Sequence, residues 1–180
     1  DPTDTAGYYA DRNYAQINIS ATDTYLANIT IYFYNSSQDQ LYANTTTTSP
    51  NYINYSSLAD GLYYFNATAY DSAGNVNSTI TRNITVDTTY PQIALASPYT
   101  QTGNYTQTYI EANISVTETN FANLTIYLYN SDGSLNQSNT SITSPYFINY
   151  TSLSDGIYYL NSTTYDLANN ANSTATHILS

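Results

Sequence analysis

Apolar and polar residues alternate along most of this chain with a period of two. Ile17, Ile19 and Ala21 alternate with Asn18 and Ser20, and Ile29, Ile31 and Phe33 alternate with Thr30, Tyr32 and Tyr34. Successive side chains of a strand point to opposite faces, so both stretches predict strands with one buried face. Shorter strands are predicted over 41–47 and 52–55, followed by a loop that ends in the turn pair Asp60 and Gly61. The alternation is strongest over 62–70. There Tyr63, Phe65, Ala67 and Ala69 share one face, and Tyr64, Asn66, Thr68 and Tyr70 share the other. Gly74 and Asn75 mark the next hairpin turn, and a strand over 76–86 closes the unit. No helical period competes, and β-branched and aromatic residues, which suit a pleated half-buried surface, dominate throughout. The expected class is all-β.

The chain repeats itself with a period of 95 residues. Residues 18–85 align on 113–180 without a gap, with 37 identities in 68 positions, including Ser49 and Pro50 on Ser144 and Pro145, and Asp60 and Gly61 on Asp155 and Gly156. Two copies of one domain follow, each close to the roughly 100 residues of an immunoglobulin-like sandwich. The expected organisation is two tandem immunoglobulin-like β-sandwich domains, 1–86 and 87–180. The joint Asp87, Thr88, Thr89, Tyr90, Pro91 is short and carries a proline, which predicts a semi-rigid connection. Copy two opens with residues 90–98, which read as an edge strand beginning with Pro. The counterpart in copy one falls before Asp1, so either the chain is an excerpt from a longer array or the first domain lacks its opening strand and carries an open edge. Residues 1–10, with Gly7, Tyr8 and Tyr9, are the expected moving part.

Charge narrows the function. The 180 residues hold 13 acidic and 2 basic side chains, for a net charge of -11. Two Arg cannot build a surface that displaces phosphate counterions, which excludes nucleic-acid binding, and an anionic membrane surface is excluded likewise. No run approaches the roughly 20 apolar residues of a membrane-spanning helix. The polar bulk is uncharged Ser, Thr and Asn. With no Lys and only Arg12 and Arg82, a trypsin-like protease has few places to cut, and the absence of Cys and Met removes the oxidation-sensitive side chains. That suits a long-lived extracellular material. Secreted animal domains of this size often carry disulfides, so a Cys-free chain points towards an archaeal surface.

The run Asp-Gly-Leu-Tyr-Tyr-Phe-Asn-Ala-Thr-Ala-Tyr-Asp-Ser-Ala-Gly-Asn from Asp60 to Asn75, a Thr-rich strand and the joint Asp87 to Pro91 resemble a known family. They are similar to the bacterial and archaeal immunoglobulin-like, or fibronectin-III-like, tandem repeats of cell-surface proteins. Copy two repeats most of this from Asp155 to Asn170, departing where Asn169 replaces the hairpin Gly74. Asn tolerates a positive φ there. The resemblance implies a stalk, adhesin, surface-layer or filament module and names no ligand.

The strongest chemical signal is the triplet Asn-x-Ser/Thr, the acceptor of N-linked glycan. It occurs at Asn18, Asn28, Asn35, Asn44, Asn54, Asn66, Asn77, Asn83, Asn104, Asn113, Asn123, Asn136, Asn139, Asn149, Asn161 and Asn172. That is 16 of 23 Asn, where random placement among 49 Ser and Thr would give about 6. Asn18, Asn66, Asn77 and Asn83, with Asn113 and Asn161 in copy two, are expected on the strand face opposite the apolar residues. Seven of these asparagines have an aromatic two residues earlier, on the same strand face: Phe33, Tyr42, Tyr52, Tyr64, Phe121, Phe147 and Tyr159. A ring there can stack on the apolar C–H face of the first sugar, so these aromatics are candidate glycan platforms.

Catalysis finds little support in the sequence. His177 is the sole histidine, with no Cys and no acid nearby in the sequence, and is expected to be a solvent-facing strand residue. Asp60, Asp71, Asp155 and Asp166 flank turns, where Asp is favoured by local backbone bonding. Asp71 or Asp87 offers hard oxygen ligands of the kind calcium takes, without a dense acidic cluster around it. No metal and no cofactor beyond covalent glycan is expected. The expected function is a non-enzymatic subunit of a heavily N-glycosylated extracellular filament or cell-surface assembly. It would be a homopolymer of identical subunits joined head to tail by strand addition at the open edge. The alternative is an adhesin or carbohydrate-binding stalk module of a surface protein.

Overall fold

The computed structural model of the chain describes residues 3–180. It divides into two compact units, Asp1–Thr89 and Tyr90–Ser180. The first contains β1 (Tyr8–Ala10), β2 (Tyr14–Ile19), β3 (Leu26–Tyr34), β4 (Gln40–Thr46), β5 (Asn51–Ser56), β6 (Gly61–Asp71), β7 (Val76–Ser78) and β8 (Arg82–Val86). β2 and β5 pair as one sheet; the other runs β1-β8-β6-β3-β4, with β7 also on the β6 edge. The inward alternates of both sheets meet in one core of Ala15 and Ile17 from β2, Ile31 and Phe33 from β3, Tyr55, Phe65, Ala67, Ile84 and Val86. These are the residues that period-two alternation places on the apolar faces.

The second unit repeats the plan with β9 (Gln92–Leu95), β10 (Ile110–Thr117), β11 (Phe121–Asn130), β12 (Leu135–Ser141), β13 (Tyr146–Tyr150), β14 (Tyr158–Asp166), β15 (Ala171–Ser173) and β16 (His177–Leu179). One sheet runs β13-β10-β9, the other β12-β11-β14-β15 with β16 on the same β14 edge. On β10 the inward alternates are Ile110, the fully buried Ala112 and Ile114, and the core continues through Leu124, Ile126, Leu128, Tyr150, Leu160 and Leu179. The predicted edge strand is β9, which pairs antiparallel with β10.

The closing strand predicted over 76–86 is broken in both units, for the same reason. The Ala67 N–H donates to the Thr79 hydroxyl at 3.0 Å and the Thr79 N–H donates to the Ala67 carbonyl at 2.9 Å. Ser162 and Thr174 repeat both bonds. The side chain substitutes for a ladder partner, and the strand resumes as β8 or β16. The hairpins also repeat. Asp71 accepts from the N–H groups of Ala73 and Asn75 and from Asn75 Nδ2, and Asp166 accepts the same three bonds from Ala168 and Asn170. Gly74 has φ 88° and Asn169 φ 69°, so the Asn that replaces glycine adopts the left-handed conformation.

Two expectations need correction. The division falls after Thr89, beyond the expected 86/87 boundary. Asp87 N–H donates to Ala10 O, and Thr88 and Thr89 donate their hydroxyls to Asp60, holding the start of the joint on the first unit. The segment expected to move is fastened: β1 pairs in parallel with β8, Asp4 accepts from Gln16 N–H and from Arg12, and the Arg12 guanidinium lies 4.2 Å over the Tyr14 ring. Asp1 and Pro2 lie outside the described residues.

Candidate functional site

The outward face of the larger sheet gathers aromatic rings around one sequon in each unit. β3 pairs with β6 so that Tyr32 lies directly opposite Asn66 and Tyr34 opposite Tyr64, and β8 sets Asn83 opposite Tyr64 on the other side. Directly opposite side chains sit about 4.5–5.5 Å apart at Cβ, close enough for rings to line one surface. The rings of Tyr32 and Tyr34 lie 6.5 Å apart with their planes inclined by 28°. Asn66 donates from Nδ2 to the Thr81 hydroxyl at 3.0 Å. A shallow cleft of about 540 Å³ opens here, lined by Tyr34, Tyr64, Asn66, Arg82 and Asn83 among others.

The second unit builds the same cradle. Tyr127 is opposite Asn161 and Tyr129 opposite Tyr159. The Tyr127 and Tyr129 rings are 6.1 Å apart, and Asn161 Nδ2 donates to the Thr176 hydroxyl at 3.4 Å. In each unit three rings thus surround one half-buried acceptor amide on a solvent-facing sheet. Chemically the arrangement can seat a sugar ring: its C–H face on a tyrosine, its hydroxyls towards phenol and threonine oxygens. Sequence reasoning finds Tyr64 and Tyr159 but misses Tyr32, Tyr34, Tyr127 and Tyr129. Their outward alternation is visible in the sequence, whereas the strand that faces them is a matter of tertiary pairing.

The remaining sequons divide by environment. Asn54, Asn77, Asn104, Asn136 and Asn149 are exposed, while Asn28, Asn35, Asn44, Asn83, Asn123 and Asn139 are half-buried. Asn113 is buried, and its Nδ2 donates to Ser97 O at 3.1 Å. It does point away from the core, as alternation requires, but the loop after β9 covers it. Asn172 Nδ2 is likewise engaged, donating to Pro91 O at 3.0 Å, and Asn18 Oδ1 is buried.

The candidate platforms divide as well. Tyr52 and Phe147 stand outward, about half exposed, opposite Asn18 and Asn113. Tyr64 and Tyr159 belong to the cradles. Three others face inward. Phe33 is fully buried, and Tyr42 stacks on Tyr55 at 5.1 Å because β4 pairs Tyr42 with Phe33 and Asn44 with Ile31, on the core side. Phe121 packs against the core of the second unit: a bulge between Phe121 and Asn123 breaks the rule that residues two apart share a face.

The titratable groups lie elsewhere. His177 is half-buried, with Nδ1 3.2 Å from the Thr102 hydroxyl and the Tyr99 ring edge-on at 6.0 Å. Asp71 and Asp132 are held below the ordinary carboxylate range by hydrogen bonds from Asn75 and Ser134 in their own turns. Burial works in the opposite direction at Asp60, yet the bonds from Thr89 and Thr88 outweigh it and lower its pKa. Burial, with a smaller contribution from Tyr42, pushes the Tyr55 phenol up to about 12, and burial raises Tyr150 as well.

Two facing, mainly antiparallel sheets of this order, one of two or three strands and one of four or more, decide the architecture. The fold is that of fibronectin(III)-like and immunoglobulin-like modules. The chain is similar to the fibronectin(III)-like modules of Clostridium thermocellum CbhA, at 16% identity and a TM-score of 0.54, over 99% of this chain and 90% of that one. Weaker likenesses reach the chicken CNTN1 FN1-FN3 domains, at 14% identity and TM-score 0.48 over 98% of this chain and 62% of that one. The amphioxus IgVJ-C2 molecule follows at 10% identity and TM-score 0.44, covering 98% of each chain. No protein-family model and no curated protein sequence matches the chain. Among the described residues no helix is long and apolar enough to cross a membrane.

Proposed function

We propose that this protein is a non-enzymatic structural subunit of an N-glycosylated extracellular filament or cell-surface assembly. The observation that carries the reading is the duplicated cradle: the same three tyrosines surround the same sequon asparagine in both units, Asn66 and Asn161. The exposed sequons add to it, because a surface with so few charges gains its solvation from sugar and not from ions. Glycans on the exposed Asn77 of β7 and Asn136 of β12 also blunt those strand edges against unwanted pairing. Identical subunits join head to tail, a heterologous contact that propagates into a filament.

Glycopeptide mass spectrometry of the native material tests the reading. The expected result is hexose-bearing mass on Asn66 and Asn161 and on most exposed sequons. Unmodified peptides at both cradle positions overturn it. In that case the cleft over Tyr34, Tyr64 and Arg82 favours the second reading, a carbohydrate-binding stalk module, and soluble oligosaccharides would perturb those residues.

A further inference from the structure

The outward face of the larger sheet carries a second pairing of sequon and ring in each unit, across a threonine pair from the cradle. In the first unit β3 presents Asn28, Thr30 and Tyr32 in that order, and the antiparallel β6 sets Tyr70, Thr68 and Asn66 directly opposite them. In the second, β11 presents Asn123, Thr125 and Tyr127 against Tyr165, Thr163 and Asn161 of β14. Each middle threonine is the third residue of a sequon: Thr30 of the one at Asn28, Thr68 at Asn66, Thr125 at Asn123 and Thr163 at Asn161. The order of residues has a local two-fold. A half turn about the threonine pair carries Asn66 and Tyr32 onto Asn28 and Tyr70, so Tyr70 stands to Asn28 as Tyr32 stands to Asn66.

Both members of this second pairing are open to a ligand. Tyr70 is 40% exposed and Tyr165 41%. Asn28 and Asn123 are half-buried, and among the described residues neither side-chain amide makes a hydrogen bond. A sugar joined there displaces no protein bond, whereas one on Asn66 or Asn161 displaces the bond to Thr81 or Thr176. The threonine hydroxyls turn sideways, Thr30 to Thr45 at 2.8 Å and Thr68 to Ser78 at 3.0 Å, with Thr125 to Thr140 and Thr163 to Ser173 repeating both contacts. They hold the middle of the face and leave the asparagines free. A bulge precedes each of these sequons and sets Leu26 opposite Asp71 and Phe121 opposite Asp166, off the face of the asparagine. The ring beside the acceptor therefore comes from across the strand pair, where facing Cβ atoms are about 4.5–5.5 Å apart.

We infer that Tyr70 and Tyr165 are second glycan seats, which hold the first sugar of N-linked glycans on Asn28 and Asn123 by stacking on its apolar C–H face. The inference rests on the N-glycosylated reading and extends it from one seated glycan to two on each face. Asn28 and Asn66 are separated by four residues along the strand direction, about 14 Å, so each sugar has its own ring. Val76, opposite Tyr70 on β7 and 58% exposed, widens the apolar surface under the sugar of the first unit. Ala171 takes that place beside Tyr165, which makes the second unit's seat the narrower one.

Tyrosine nitration by tetranitromethane, read peptide by peptide in the mass spectrometer, tests the seats on the whole glycosylated protein. Asn28→Gln is expected to raise the nitration rate of Tyr70 about 2- to 10-fold, the range that a stacking contact of aromatic strength sets, and to leave Tyr165 unchanged. Asn123→Gln is expected to do the reverse. Asn66→Gln leaves both rates as they are, and Tyr25, 72% exposed, is the uncovered reference. In the unsubstituted glycoprotein, where no variant has to fold, nuclear Overhauser contacts are expected between sugar protons and the rings of Tyr70 and Tyr165. Bare Asn28 and Asn123, equal nitration with and without their sugars, absent sugar-to-ring contacts, or uncovering of Tyr70 by Asn66→Gln alone overturns the seats. The same spectra read Asn66 and Asn161 separately. Sugar on those two with Asn28 and Asn123 bare leaves the cradle reading standing and removes the seats, and the opposite pattern with covered Tyr70 and Tyr165 keeps the seats and removes the cradles.

Discussion

Replacing Phe33 by Ala separates a core role from a sugar-platform role at a position where sequence spacing alone suggests the second. Phe33 is fully buried and its ring lies 4.6 Å from Tyr55 and 5.3 Å from Tyr63. Truncating a buried Phe to Ala costs about 3–5 kcal/mol, because the cavity is only partly refilled. A unit of this size is stable by roughly 5–13 kcal/mol, so one substitution removes a large share. Tyr42, half exposed at the rim of the same stack, is expected to lose about 1–2 kcal/mol when changed to Ala. Peptide-resolved native-state hydrogen exchange measures both, with β11 and β14 as the internal reference. Protection of β3 and β6 should fall in the Phe33→Ala variant by the larger amount while the second unit is unchanged. A loss below about 1 kcal/mol at Phe33, or a larger loss at Tyr42 than at Phe33, refutes the inward packing of this stack.

Other consequences follow from buried polar groups. The hydroxyls of Tyr55 and Tyr150 are buried without a hydrogen-bond partner among the described residues, at equivalent positions in the two units. Tyr55→Phe and Tyr150→Phe should each raise stability by about 1 kcal/mol in denaturant titrations, since an unsatisfied hydroxyl is removed at nearly constant shape. The Tyr55 phenol is raised in the folded state, so its contribution is fully present below pH 10 and is lost as pH rises towards 12, the unfolded chain releasing its proton first. Urea titrations across that window should show declining stability, and Tyr55→Phe should flatten the decline. Asp71 is shifted the other way: its contribution is present above the ordinary carboxylate range and lost on acidification below it, a loss that Asp71→Asn should remove. Asn113, the one buried sequon asparagine among the described residues, should carry the lowest glycan occupancy of all sequons in site-resolved mass spectrometry.

The strand faces were legible in the sequence because alternation is a local property. Tyr63, Phe65, Ala67 and Ala69 fall on the inner side of β6 as the period of two requires, and the repeat carries the same assignment into β14. What the sequence hid was set by distant partners. The side of the sandwich that Tyr42 faces depends on how β4 registers against β3. The relation of Phe121 to Asn123 depends on a bulge, and Asn113 is covered by a loop 16 residues away in sequence. The cradle itself is half local and half tertiary: Tyr64 and Asn66 are found by spacing along one strand, and Tyr32 and Tyr34 reach them only through cross-strand pairing.

An electron-microscopy map of the native material at side-chain resolution tests the central claim most directly. Sugar density continuous with Asn66 and Asn161 Nδ2 and lying against the rings of Tyr32, Tyr34 and Tyr64 and their counterparts, on subunits ordered head to tail, is the predicted result. Bare asparagine side chains still bonded to Thr81 and Thr176, on dispersed single molecules, would contradict it.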